Sequence, residues 1–165
     1  MGDVFFEVLV KRNRKATDMP MRILLISFVV LLFVGGILFI PILLPLGLIV
    51  GLVEWFFILP RFDVEYEYSF VNGEIDIDVI YSKEKRKHLE SIEVDTFECV
   101  APLGSHELDR FQHDFTVVDY SALDSERKPY VCVQAKERRL IYLQLEDKEL
   151  KNAIKNRLPR KFFDY

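Results

Sequence analysis

The sequence predicts a membrane protein in which a two-helix transmembrane hairpin precedes a mainly antiparallel β domain, a barrel or sheet, closed by a C-terminal helix. Three observations predict it. No charged residue stands between Arg22 and Glu54. From Phe62 onward, apolar and polar residues alternate with a period of two on both sides of Asn72-Gly73. At Asp147 the apolar period returns to that of a helix. These changes divide the chain into an amphipathic N-terminal segment with a basic cluster (1–21), two transmembrane helices (22–60, about 22–40 and 43–59) and a β domain (61–165).

Charge follows the same division. The net charge of -4 over 165 residues describes neither half, because Lys11, Arg12, Arg14, Lys15 and Arg22 precede the apolar block while acids outnumber bases after it. The block begins too late and runs too long for a secretory signal, whose apolar core is roughly 7 to 15 residues, so it is expected to persist in the mature protein. Cys99 and Cys132 lie in apolar, strand-like surroundings, where a cysteine behaves as a small core residue, and both are expected to be free thiols.

Taken in order, residues 3–11 set Phe5 with Leu9 and Phe6 with Val10 at helical spacing, which predicts a short amphipathic helix. With the basic cluster behind it, such a helix would lie against anionic lipid or pack on the folded domain. One helix from Arg22 to Glu54 would be roughly 45 Å long, against a hydrocarbon layer of about 30 Å. Pro41 and Pro45 supply a break, because proline lacks a backbone donor and disfavours helix before it. Gly35, Gly36, Gly47 and Gly51 offer small faces for helix contact, and Gly47-x-x-x-Gly51 has small-xxx-small spacing without proving a dimer. The basic cluster keeps the N-terminus cytoplasmic, the connecting turn carries no Lys or Arg, and Arg61 follows the second span, so both termini are expected inside; the alternatives are a re-entrant hairpin that never fully crosses and a single span with the acidic domain outside. Glu54, the one ionisable group in the block, lies near enough to the helix end to reach the interface or Arg61, and Trp55 suits an interfacial anchor.

In the β domain, Val64, Tyr66, Tyr68 and Phe70 alternate with Glu65, Glu67 and Ser69, and Ile75, Ile77 and Val79 alternate with Glu74, Asp76 and Asp78. Asn-Gly between two such runs is a strong hairpin signal. Asp63, Glu65, Glu67, Asp76 and Asp78 are expected on a solvated outer face. Lys83 to Lys87 reads as a charged turn, and residues 89–100 as one strand with a bulge near Phe97. A loop with one helical turn spans 101–114, short strands follow near 115–118, 130–135 and 140–145, and a helix occupies about 147–158, capped by Asp147 and stopped by Pro159.

Two apolar spans followed by Val64-Glu-Tyr-Glu-Tyr, Val71-Asn-Gly-Glu-Ile-Asp-Ile-Asp, Lys83-Glu-Lys-Arg-Lys-His-Leu and Ala101-Pro-Leu-Gly-Ser-His resemble a family of small two-span Gram-positive bacterial membrane proteins with no assigned activity. The order of strands closed by a final helix also resembles bacterial pleckstrin-homology-like (PH-like) domains. The resemblance implies topology and a PH-like fold, and leaves function to the residues.

Those residues carry no glycine-rich phosphate loop, nucleophile elbow or paired metal motif. Cys99, His106 and His113 do not match zinc-site spacing, and neither cysteine has an activating base specified by the sequence. The expected protein is therefore non-enzymatic, without cofactor or metal, and its acidic sheet disfavours nucleic acid, whose phosphates need Lys and Arg. The leading expectation is a membrane-anchored protein-interaction or scaffolding module at the inner face of the membrane, binding the bilayer and a protein partner. The alternative is a lipid-headgroup sensor using Lys83, Lys85, Arg86 and Lys87. In eukaryotic lipid-binding PH domains the first hairpin commonly supplies the basic residues, whereas here that turn is Asn72-Gly73. Lys11, Arg12, Arg14, Lys15, Arg22, Trp55 and Arg61 are the expected membrane-interface residues.

Overall fold

A computed structural model of the chain describes residues 5–13, 15–111, 113–123 and 127–164. It resolves into two compact units. One gathers the N-terminal strand with most of the β domain, and the other comprises residues 14–64 with the short segment 81–85.

The second unit is built from helix α1 (Asp18–Leu38) and helix α2 (Leu43–Val53), the latter prolonged by a π turn over Glu54–Ile58 and a 3-10 turn over Leu59–Phe62. The helical run Leu43–Phe62 has 20 residues and α1 has 21, and each is long and apolar enough to cross a membrane. The break falls at Phe39–Ile42. Pro41 lies in it, while Pro45 sits in the first turn of α2, where a missing N–H breaks no intrahelical bond. The predicted glycine faces are the helix contact: a Cβ on Gly47 would lie 3.3 Å from Leu32 Cβ, one on Gly51 3.3 Å from Val29, and one on Gly36 2.8 Å from Leu44. Away from that seam the side chains are bare, with Ile37, Phe39 and Ile42 all at least 70% exposed. Glu54 does not reach outward as expected. It is 5% exposed, at the start of the π turn.

The first unit holds two four-stranded sheets. Sheet one runs β1-β2-β3-β4, with β1 Phe5–Lys11, β2 Val64–Val71, β3 Glu74–Tyr81 and β4 Lys85–Glu93. The N-terminal segment is thus a strand and not the predicted helix. Phe6, Val8 and Val10 also satisfy a period of two, and a helix this short has too few internal bonds to stand alone. Antiparallel pairing with β2, from Phe5 opposite Val71 to Lys11 opposite Glu65, supplies the missing bonds. Asn72 and Gly73 take φ of 50° and 100°, the left-handed pair that a tight hairpin requires.

Residues 89–100 do not form one bulged strand. β4 ends at Glu93, a 3-10 turn covers Val94–Thr96, and β5 (Cys99–Pro102) opens the other sheet. The Val94 N–H donates to Gly73 O, fixing this crossover beside the hairpin turn. Sheet two has the order β5-β7-β8-β6, with β6 Thr116–Asp119, β7 Tyr130–Gln134 and β8 Arg139–Leu143. Its pairs are antiparallel except β6 with β8, which is parallel. The sheets remain separate, so the barrel alternative gives way to two open sheets. Tyr68 ties them: its buried hydroxyl donates to Tyr120 O at 2.6 Å and accepts from the Gln144 N–H at 3.3 Å.

Register puts Cys99, Ala101, Val131 and Val133 on one face of sheet two, where Leu108 and Phe111 of a 3-10 segment (His106–Phe111) cover them. Val100, Cys132 and Ile141 on the opposite face are also fully buried. Helix α3 (Lys148–Arg157) closes the unit. The Asp147 carboxylate accepts from the N–H groups of Glu149 and Leu150 as predicted, and Leu150 and Ile154 are completely buried. Beyond it, backbone bonds between Val100 and the Lys161–Phe163 segment cover the outer edge of β5.

Candidate functional site

The structure divides the predicted basic residues into two groups with different chemistry. The first belongs to the unit of the helix pair. Arg22 lies 5.9 Å from the centre of the Phe62 ring, and Lys85 lies 5.5 Å from that of Phe57. Cations over aromatic faces are held by the ring quadrupole and keep their charge available. Arg61, Lys15 and Lys83 are exposed in the same unit, and Trp55 is 68% exposed. Lys83 occupies the turn Ser82–Glu84 with φ of 60°, and the Ser82 N–H donates to Asp63 O at 2.8 Å, anchoring that turn to the end of the second helix. These exposed basic and aromatic residues share one unit with the two apolar helices, and cationic and aromatic side chains are the types that suit the boundary between headgroups and hydrocarbon.

The second group lies on the strands. The predicted charged turn is confined to Ser82–Glu84, so Lys85, Arg86 and Lys87 open β4 and point alternately to opposite sides. Arg86 is committed to acids: it donates to Asp78 at 2.7 Å and to Glu67 at 2.5 Å, with Glu7 of β1 at 3.7 Å. His88 meets the other oxygen of Asp78 at 2.8 Å, and Ser91 donates to Asp76. The acidic face is therefore not the solvated surface expected. Glu65 and Glu67 are 6% and 5% exposed because β1 lies alongside β2. Burial and the neighbouring Glu7 push the Glu67 carboxyl up. Burial also acts to raise Asp78, but bonds from His88 and Arg86 outweigh it and hold that carboxyl below its usual range.

Asp78, His88 and Ser91 stand in the order acid, imidazole, hydroxyl. The Ser91 proton is directed to Asp76, however, and its oxygen is 3.4 Å from His88 Nε2, so the hydroxyl is held by a carboxylate and not activated by the imidazole. A second cross-strand set was not foreseen. Glu90 accepts from Arg139 through both oxygens at 2.8 and 2.7 Å and from Tyr120 at 2.7 Å. Its members come from β4, β8 and the residue after β6, so no local spacing signals it. Arg12 lies over the Tyr66 ring and donates to its hydroxyl at 3.1 Å, Lys11 stands opposite Glu65, and Lys87 is exposed. Arg14 lies outside the described residues.

Both thiols are free and fully buried, and burial pushes each above its ordinary value, away from the reactive thiolate. Among the described residues no three His, Cys, Asp or Glu side chains are grouped to hold a metal ion.

Comparison with known proteins agrees with the fold. The family model described as "Bacterial PH-like domain (DUF6106)" matches residues 2–164. No curated protein and no solved structure matches. PH-like domains are generally non-catalytic interaction modules. With the family match running across the N-terminal strand, both apolar helices and the two sheets, the chain belongs to the bacterial PH-like domain family DUF6106.

Proposed function

We propose that this protein is a non-enzymatic, two-pass membrane-anchored interaction module whose PH-like domain works at the cytoplasmic face. The observation that carries the reading is the pairing of β1 with β2. β1 precedes the helices and β2 follows them, yet they are hydrogen-bonded neighbours in one sheet. Strands that pair must share one side of a bilayer, so the intervening segment crosses an even number of times. Two helices of about 30 Å meet that condition, and a single span does not. Lys11, Arg12, Arg14, Lys15 and Arg22 favour the cytoplasmic side for that shared end, and the Phe39–Ile42 turn carries no basic residue to oppose translocation. The Gram-positive setting implied by the resemblance belongs to the same reading.

Single reporter cysteines in the full chain test it, because the native thiols are buried. Ile42→Cys is expected to react with a membrane-impermeant maleimide in intact cells, and Lys148→Cys only after permeabilisation. Labelling of Lys148→Cys in intact cells, or release of the protein by alkaline carbonate, overturns the proposal.

Headgroup contact is a second reading, favoured by Lys83 and Lys85 sharing a unit with the helix ends. Arg86 leaves this set because its guanidinium is held by Glu67 and Asp78. Replacing Lys83 and Lys85 by Gln should reduce enrichment of anionic lipid around the full chain in mixed-lipid nanodiscs. Unchanged enrichment removes the reading.

A further inference from the structure

Four strand edges bound the two sheets, and three are protected. β5 is covered by the Lys161–Phe163 segment, β6 has only four residues, and β4 carries Lys85, Arg86 and Lys87. Short length, covering chain and lysine are common ways of blocking an edge. β1 has none of these in full. It runs for seven residues, contains no proline, and presents Phe5 and Leu9 at 58% and 56% exposure. Among the described residues, no backbone bond engages its outer side over Phe5–Lys11. The nearest is the Asn13 N–H donating to Ala122 O at 2.6 Å, which closes the edge just beyond Lys11. Beside the edge lies a groove of about 540 Å³, lined by Val8 and Val10 on one side and by Arg127, Gln144 and Glu146 on the other. Gln144 is 3% exposed and its Oε1 has no hydrogen-bond partner among the described residues.

The outward side chains of β1 read Phe5, Glu7, Leu9, Lys11. We infer that the edge is filled by β1 of a second copy, antiparallel and centred on Leu9. In that register Leu9 faces its own counterpart, and Glu7 of each copy faces Lys11 of the other, so the twofold gives two opposite-charge pairs around an apolar centre. The charge of Glu7 supports this occupant. Its own face is rich in acid, with Glu67 and Asp78 sharing Arg86, and a lysine from the second strand supplies the missing cation. The Asn13–Ala122 bond limits the pairing to residues 7–11. Shifting the register by two would set Glu7 against Leu9 and Lys11 against Phe5, losing both charge pairs.

The inference rests on the proposed anchoring for one thing, the high local concentration of copies confined to a membrane. Carbonate extraction tests that separately, so the two can fail independently. The direct experiment is oxidative cross-linking of the full chain in native membranes with Leu9→Cys. Facing Cα atoms in antiparallel strands are about 4.5 to 5.5 Å apart, within disulfide reach. Leu9→Cys should give a disulfide dimer several-fold more abundant than Val117→Cys, an exposed position on β6. Co-expressed, differently tagged Glu7→Cys and Lys11→Cys copies should cross-link to each other more than either does to itself. Glu7→Lys added to Leu9→Cys should lower dimer yield several-fold, and Glu7→Lys with Lys11→Glu should restore it. A Leu9→Cys yield no higher than that of Val117→Cys overturns the inference. So does a yield indifferent to the charge reversals, as would be seen if a strand of another protein occupied the groove.

Discussion

Gly73 shows how a single residue serves two distant parts of the fold. Its φ of 100° belongs to the hairpin turn, and a Cβ there would lie 2.6 Å from the Arg157 guanidinium carbon. Arg157 in turn donates to both Asp95 oxygens at 2.9 and 2.6 Å, which draws that carboxyl below its ordinary value. Gly73→Ala should therefore destabilise through backbone strain of about 1 to 3 kcal/mol and through displacement of the arginine. Gly104→Ala meets only the strain, because its φ is 92° but the nearest atom is 3.8 Å away. Thermal melts of the full chain in detergent should rank Gly73→Ala modestly below Gly104→Ala, by no more than an exposed ion pair contributes, and a greater loss from Gly104→Ala would contradict the packing argument. The turn was legible because Asn-Gly between alternating runs has few other uses. The arginine above it was not, since Arg157 enters from a helix at the far end of the domain.

Among the elements, the helix pair was legible nearly to its boundaries, because prolines and an unbroken apolar run constrain it locally. Gly36 is its tightest point, where an added Cβ would also lie 3.0 Å from the Leu44 backbone nitrogen. Gly36→Leu should force the helices apart at their connection and lower the melting temperature in detergent, whereas Ile37→Ala, on the open surface, should not. Comparable losses from both would mean that the seam is not where the contact forms. β1 was misread for a physical reason. Asp3 to Lys11 satisfies helical and strand periods alike, and the choice is made by β2, about sixty residues later in the chain. The same strand converts Glu65 and Glu67 from an expected outer face into buried positions, so one missed element accounts for two wrong expectations. Cys99 likewise begins a strand of the second sheet because the chain crosses over at Val94–Thr96, a change that alternation alone reads as a bulge.

For the whole molecule, the two sheets stay open without closing a barrel, and Cys99 and Cys132 sit at 0% exposure on opposite faces of sheet two. Their reaction with a thiol reagent should report opening of the domain: negligible labelling under native conditions, and labelling of both in denaturant with the loss of β signal in circular dichroism. Rapid native labelling of either would show a local opening that this packing does not provide. The pairing of β1 with β2 has a further consequence, in the time course of synthesis. β1 is made before the helices and does not meet its partner until both helices and β2 have been made. At roughly 5 to 20 residues per second, that is a wait of about 3 to 12 seconds. During it, in the proposed two-pass arrangement, a seven-residue strand with Phe5 and Leu9 on its outer side waits unpaired at the membrane surface. In that proposed arrangement, completion of the first sheet is tied to correct insertion, and a chain whose second helix failed to return would leave β1 unpaired on the opposite side from the rest of its sheet.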